Sequence, residues 1–431
     1  MKIMLTGATG FLGGRLLRQL LAAGHQVVCA GRSAPRIEHG RCGWLKLDFA
    51  ATPAAVWVLH LQGVDVVVNL VGIFRESGAA SFAAVHTRGP QALFDACASA
   101  GVRRVVQVSA LGADAQAETE FLRSKYGADR HLLALPLDGC VAQPSLVFAP
   151  DGLSARRLLT LACLPVVPLP AGGRQRIQPI HVDDAVDALH ALVEWPGGDL
   201  RGRRVPLVGP RPLMLQDYLL ALRRGMGFAP GALVLPLPAW LMAVAAWLGD
   251  HQPRSLFNRA AWAMLQHGNT GDATLVARLL GRSPRPASAF IPNEQRAAVR
   301  TQAQLAWLLP LLRLSLAAVW LATAAVSAGL YPVELSHQLL GRAGVPAELQ
   351  PAALWGAVAL DLLLGLLTLW PMRSRRWLWL TQAGLILFYS VVISVSLPEF
   401  WLHPYGPMTK NLPMLALLLL LWQLEPRRGE R

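Results

Sequence analysis

The stretch GATGFLG sets Gly7, Gly10 and Gly13 three residues apart, directly after the apolar run KIMLT and ahead of the helical pattern GRLLRQLLAAG. Glycines at this spacing permit a tight turn. They also let the backbone N–H groups of the turn, those of Thr9, Phe11 and Leu12 included, approach a phosphate whose charge the following helix N-terminus stabilises. In a strand, turn, helix, strand unit this is the pattern of a dinucleotide site. About 20 residues further on, a carboxylate would accept the ribose hydroxyls of NAD, but the second apolar run ends in Gly31, Arg32 and Ser33. A carboxylate repels a 2′-phosphate and a guanidinium binds it bidentately, so NADP(H) is expected over NAD(H). The alternative is a solvated surface arginine. Asp48, ending LKLDF, is placed either to meet the adenine or to cap a helix.

Other polar residues could do chemistry. His181, Asp183 and Asp184 in IHVDDAV have the types of a metal or acid–base cluster. The expected reading is a turn in which an aspartate caps the next helix. His86 in AAVHTRG is expected to be structural. Arg313 and Asp361 fall inside long apolar runs, where a charge is costly unless paired or functional. They could form one ion pair, or line a polar pocket for a lipid-soluble small molecule such as a quinone-like ligand.

Up to about Val208, runs rich in β-branched residues (KIMLTG, QVVCAGR, GWLKLD, VDVVVNLV, VRRVVQVSA, GCVAQPSLVF) alternate with helical stretches. This alternation predicts an α/β fold, a doubly wound parallel sheet covered on both faces. Residues 1–208 are read as the nucleotide-binding domain, 209–300 as a small mixed lobe, and 301–431 as a membrane domain. In the lobe, ALVLPLPAWLMAVAAWLGD is interrupted by Pro236 and Pro238. It reads as an interfacial helix with Trp240 and Trp247 on one face.

The chain of 431 residues is 53% hydrophobic and carries a formal charge of +14, too apolar for an ordinary soluble enzyme. The arginines are scattered or flank apolar runs, which favours a lipid bilayer and phosphate-bearing ligands over nucleic acid. The five cysteines (29, 42, 97, 140 and 163) contain no CxxC pair; they are read as reduced and structural, and no metal site is expected. Uncharged runs at roughly 305–330, 352–371, 377–398 and 411–424 suggest four spans, since crossing hydrocarbon takes about 20 residues. With MRSRR and PRRGER inside, the arginines obey the positive-inside rule. The expected location is a cell (inner) membrane with both the N-terminal domain and the C-terminus cytoplasmic.

In order along the chain, TGATGFLG, NLVGIFRES, VSALGA, the SK of FLRSK and QPIHVDDAVDAL resemble a branch of the atypical short-chain dehydrogenase/reductases. This branch contains the dehydrogenase-like accessory subunit of respiratory complex I. The membrane part, with RLSLAAVWLATAAVSAG and HPYGPMTKNLPML, is similar to DoxX-like domains. The resemblance implies cofactor contacts at Val71 and Gly72 and a Ser-Tyr-Lys active site in which the lysine also binds the nicotinamide ribose. Ser109 and Lys125 match the serine and lysine, but the tyrosine position is Phe121. Phenylalanine keeps the ring and loses the proton carrier. Tyr126, next to Lys125, points about 100° away from it on a helix and would leave that face. Gln143 and Ala149 stand where the family has arginine and glycine.

These departures lead to the expectation of a membrane-anchored, NADP(H)-binding protein without standard Tyr-dependent catalysis, with a structural or sensing role. The alternatives are an oxidoreductase acting on a lipid-soluble carbonyl or quinone-like substrate, and a membrane assembly subunit.

Overall fold

The computed structural model describes residues 1–425 except 79, 230, 253, 254, 256, 373 and 405. The basic tail 426–431 and Arg373, both used in the topology argument, lie outside the described residues. The chain divides into two compact units, Met1–Ala303 and the part from Gln304 onward.

The first unit begins β1 (Lys2–Thr6), α1 (Gly13–Ala22), β2 (Gln26–Gly31), β3 (Cys42–Lys46), α2 (Ala54–His60) and β4 (Val66–Asn69). After a π-helical turn at Ala83–Arg88 come α3 (Gly89–Ala100), β5 (Arg104–Val108), α4 (Glu120–Ala134), β6 (Asp138–Pro144) and β7 (Val147–Phe148). The next elements are α5 (Leu153–Cys163), β8 (Val166–Pro170), β9 (Arg176–Ile177), β10 (Ile180–His181), α6 (Val182–Glu194) and β11 (Arg204–Leu207). Seven parallel strands form one sheet in the order β11-β6-β5-β4-β1-β2-β3. The central strands are buried on both faces, as the unbroken VVV of β4 requires. One apolar cluster, with Leu16, Leu20, Val186 and Leu189, fills the α1/α6 face; the other, with Trp57, Leu93, Phe94 and Leu132, fills the α2/α3/α4 face.

The strands read from the sequence are present, with one split and, before Val208, four additions: β8, β9, β10 and β11. The stretch GCVAQPSLVF divides into β6 and the separate β7, which pairs β10. The edge strand β11, RVPL, was not anticipated; its proline and flanking arginines hide a pattern that pairing with β6 makes regular. All five cysteines are free thiols, four of them buried. Burial raises the thiol pKa of Cys97 and Cys140, the latter to about 12.

The lobe continues with β12 (Leu213–Met214), α7 (Leu215–Gly225), β13 (Leu233–Leu237), α8 (Ala239–Asp250), α9 (Arg259–His267) and α10 (Thr274–Leu280). The stretch read as one interfacial helix is thus two elements. Pro236 sits in β13, which pairs β8 in parallel, and Pro238 precedes α8 where its fixed φ suits a helix start. α8 is apolar nearly all round yet buries only Ala246 and Gly249, leaving Trp240 and Trp247 67% and 50% exposed.

α11 (Arg296–Ala325) begins in the first unit and continues into the second, which goes on with α12 (Val333–Arg342), α13 (Gln350–Leu369), α14 (Arg376–Ser396) and α15 (Asn411–Leu424). Three helical stretches, Asn293–Leu330, Ala347–Leu369 and Arg376–Ser396, are long and apolar enough to cross a membrane; α15, with 14 residues, is shorter. A buried polar chain, Trp320 Nε1 to Gln382 Oε1 (2.9 Å) and Gln382 Nε2 to Thr368 Oγ1 (2.8 Å), links three helices. Arg313 does not pair with Asp361. It donates to Glu425 at 2.9 Å, and Arg376 donates to the Glu425 carbonyl at 3.3 Å. A carboxylate 2% exposed beyond α15 offers Arg313 a stronger partner than Asp361, whose Oδ1 is buried without a hydrogen bond among the described residues.

Candidate functional site

β1 ends at Thr6 and the chain turns through Gly7, whose φ of +75° favours glycine. A Cβ on Gly7 would lie 2.8 Å from the Leu70 carbonyl carbon, and one on Gly13 would lie 2.1 Å from Gly7 O. Both positions therefore need glycine for the turn itself. Gly14 N–H donates to Gly10 O (2.9 Å), whereas those of Phe11, Leu12 and Gly13 make no backbone hydrogen bond among the described residues. These N–H groups at the head of α1 suit an anion. The Phe11 side chain turns away against Gly152 and beneath Arg15, and Leu12 packs on the core. Their contribution to a ligand is backbone.

Beside this turn lies a cleft of about 270 Å³ lined by Gly7, Thr9, Gly10, Arg32, Asp48, Val71 and Gly72, among others. Arg32 is exposed and has no carboxylate partner among the described residues. Asp48 holds a turn through Ala50 N–H (3.1 Å), while Pro53 precedes α2 as its N-cap; Asp48 is therefore not that helix's cap. The cleft's shape, its donors and its one free guanidinium fit a dinucleotide.

Beneath the cleft a polar row crosses the strand ends. Thr6 Oγ1 donates to Asn69 Oδ1 (2.6 Å), and Asn69 Nδ2 donates to Gln107 Oε1 (2.7 Å). The register places these residues side by side on β1, β4 and β5. Asn69 Oδ1 also accepts from Val71 N–H at 3.2 Å, which orients the strand end that carries Gly72.

Ser109 follows the end of β5 and Lys125 lies on α4, so the two residues expected to be catalytic come together. Lys125 Nζ donates to the carbonyls of Val71 and Val108, each at 3.3 Å. It sits behind Gly72, where a Cβ would lie 3.0 Å from Nζ. Burial lowers its pKa from 10.5 to about 8, with Asp129 opposing. The Ser109 hydroxyl donates to Asp129 Oδ2 at 2.5 Å. Asp129 is fully buried; burial raises its pKa to about 6 against the pull of Ser109, Lys125 and Arg204. Asp129 was missed in the sequence, although it lies one turn after Lys125 on the same helix face.

Phe121 is 8% exposed and packs into an aromatic cluster: its ring centroid is 4.9 Å from Phe74, 5.4 Å from His86 and 6.0 Å from Phe82. His86 Nε2 accepts from Ile73 N–H (2.9 Å). Its Nδ1 is 3.0 Å from Ser124 Oγ, whose hydroxyl donates to Phe121 O. These partners require the neutral Nδ1–H tautomer, and burial together with Lys125 lowers the imidazole pKa to about 3. Tyr126 stacks against Arg204 at 5.3 Å. Gln143 and Ala149 are buried on β6 and after β7. The loop that carries Phe74 is fastened to the end of α8, since Arg75 donates to Gly249 O (2.7 Å) and Gln252 O (2.8 Å).

The cluster at α6 is not capped by an aspartate. His181 Nδ1 accepts from Asp183 N–H (3.2 Å), while buried Asp184 takes Arg282 Nη2 and Arg285 N–H, each at 2.6 Å. Imidazole fills the cap because Asp184 is drawn across to the 282–285 segment.

Residues 3–206 match the NAD dependent epimerase/dehydratase family, and residues 317–419 match the DoxX-like family. NADH dehydrogenase (ubiquinone) 1 alpha subcomplex subunit 9, mitochondrial, of Arabidopsis thaliana is 29% identical over 47% of this chain. The chain spans about half of that relative, 52% of its length. The ceramide reductase of Caulobacter vibrioides is 28% identical over 45% of this chain and 61% of its own. Among solved structures, a nucleoside-diphosphate-sugar epimerase from Staphylococcus aureus superposes with a TM-score of 0.55 at 20% identity, covering 68% of this chain and 99% of its own. The N-terminal unit is thus an epimerase- and reductase-like nicotinamide dinucleotide-binding Rossmann domain. With three long apolar helices and a DoxX-like segment, the chain is a membrane protein.

Proposed function

We propose that this chain, an NAD dependent epimerase/dehydratase-type domain joined to a DoxX-like membrane domain, binds NADP(H) at the membrane and does not perform standard Tyr-dependent hydride chemistry. The observation that carries the reading is Phe121. At the tyrosine position stands a ring without an oxygen, closed in by Phe74, Phe82 and His86. Two further features support it. Ser109 spends its proton on Asp129, and His86 is a neutral hydrogen-bond bridge instead of an acid. The cofactor would supply a hydride donor or acceptor. Gly7, Gly10 and Gly13 with the head of α1 would hold its pyrophosphate, Arg32 a 2′-phosphate, Asp48 the adenine, and Val71, Gly72 and Lys125 the nicotinamide end. A bound-nucleotide state read out by a membrane domain is a structural or sensing role.

A second reading is an oxidoreductase acting on a lipid-soluble carbonyl or quinone-like substrate. It is favoured by α8, an apolar helix with both tryptophans exposed, tied by Arg75 to the loop that closes over Phe121. Such a helix lies naturally in a bilayer interface. The relative named ceramide reductase is in keeping with a lipid substrate. Lys125, with its lowered pKa, or Ser109 with Asp129 would then carry the proton. In the membrane unit, buried Asp361 supports a polar pocket for a lipid-soluble molecule.

For topology we infer four spans in the inner membrane with both ends cytoplasmic. The pairing of Glu425 with Arg376 and Arg313 supports it, because it sets the end of α15 beside the α13–α14 loop. The deciding experiment is NADPH oxidation by the purified chain with long-chain ketones and quinones, with cofactor binding measured in parallel. Binding without turnover is expected. Brisk turnover would favour the second reading, and no binding would overturn both.

A further inference from the structure

We propose that His25, His190 and Glu194 form a Zn²⁺ site that staples the α1–β2 turn to the last turns of α6. The inference is independent of the proposed function. His25 closes the turn before β2, its N–H held by Leu20 O at 3.1 Å. His190 and Glu194 lie four residues apart on one face of α6. His25 Nε2 is 2.8 Å from Glu194 Oε1, His190 Nε2 is 3.7 Å from the same oxygen, and the three ligand atoms all lie within 4.8 Å of one another. Tetrahedral Zn²⁺ with bonds of about 2.0–2.1 Å spaces its ligands about 3.4 Å apart, a value bracketed by the two distances to Glu194.

A hydrogen bond between His25 and Glu194 accounts for two of the three groups but leaves His190. Its Nε2 is buried and has no hydrogen-bond partner among the described residues. An orphaned buried nitrogen is costly, and a metal bond would satisfy it. The side chains of His25, His190 and Glu194 are 9%, 17% and 43% exposed, so an ion can enter past the glutamate and a water can take the fourth position. Two imidazoles and a carboxylate, without a thiolate, suit Zn²⁺. The site stands at the N-terminal end of β2, whereas the nucleotide cleft lies at the C-terminal ends of these parallel strands. It is therefore structural and not part of the reaction centre.

The test uses the full chain in detergent, stripped with EDTA and titrated with ZnCl₂ while thermal unfolding is followed, and with CoCl₂ for the visible bands of a tetrahedral site. The wild type is expected to bind one equivalent, rise in Tm and show the cobalt bands. His190→Ala breaks no hydrogen bond to Nε2 but empties a largely buried position, so its Zn²⁺-dependent rise is read against its own metal-free Tm. Its Zn²⁺ affinity should fall by about 100-fold or more, beyond the usual effect of losing an outer-shell partner. His25→Ala should lose the cobalt bands too, but it also loses a hydrogen bond, so His190→Ala decides if that variant folds poorly. Equal Zn²⁺ stabilisation of wild type and His190→Ala, or no stoichiometric binding by the wild type, overturns the proposal.

Discussion

On the proposed reading, one oxygen atom at Phe121 separates this site from the Ser-Tyr-Lys arrangement that the resemblance implies. Lys125 is in place beside the Val71 and Val108 carbonyls, and the ring already faces His86. Phe121→Tyr should therefore create or raise NADPH-dependent carbonyl reduction, by about 10²–10⁴-fold if the remaining geometry suffices. Wild-type activity that this change leaves untouched would show that another group carries the proton. Arg32 tests cofactor choice. Arg32→Asp should weaken NADP(H) binding by one to two powers of ten while sparing NAD(H), because a charge-assisted contact is worth about 1.5–3 kcal/mol; equal wild-type affinities for the two cofactors would refute the assignment. His86 provides a pH signature. Its folded pKa of about 3 lies below the ordinary 6.5, so the stability it contributes is full above pH 6.5 and is lost as pH falls toward 3. Asp129 acts with the opposite sign but is common to wild type and variant. Between pH 6.5 and 4, His86→Gln should lose stability less steeply than wild type, by more than about 1 kcal/mol over the window; parallel unfolding curves would refute this.

At the scale of elements, the β1–α1 turn is the part least tolerant of change. Gly13 packs its α-carbon against Gly7 O, and any side chain must force the turn open. Gly13→Ala should cost about 3 kcal/mol and abolish nucleotide binding, measured by melting and by nucleotide fluorescence. Binding at wild-type strength would mean that the head of α1 does not hold the phosphate. The π-helical turn at Ala83–Arg88 is a second such element. It buries His86 between Ile73 N–H and Ser124, which fastens the loop after β4 to α4.

At the scale of the molecule, a basic nucleotide-binding unit precedes apolar helices, and topology decides which side of the membrane the nucleotide must come from. Reporter fusions after Arg300 and beyond Leu424 should both report the cytoplasmic side. Opposite reports would mean that α15, only 14 residues long, does not cross.

The glycine spacing, the strand and helix alternation and the apolar runs were legible in the sequence because each is a local pattern with a fixed period or a fixed backbone requirement. That a phenylalanine stands four residues before Lys125 was legible too, since it depends on one residue's identity. The surroundings of that residue were not. Phe74 and the turn carrying Phe82 and His86 close on the site from segments away from α4, and β11 becomes a strand only because β6 offers it a partner. The partner of Arg313 also needed the fold: Asp361 is 48 residues away and Glu425 is 112, and sequence distance does not rank them. His25 and His190 make the same point most sharply. No spacing rule joins residues 165 positions apart, and only the packing of α1 against α6 brings their nitrogens together.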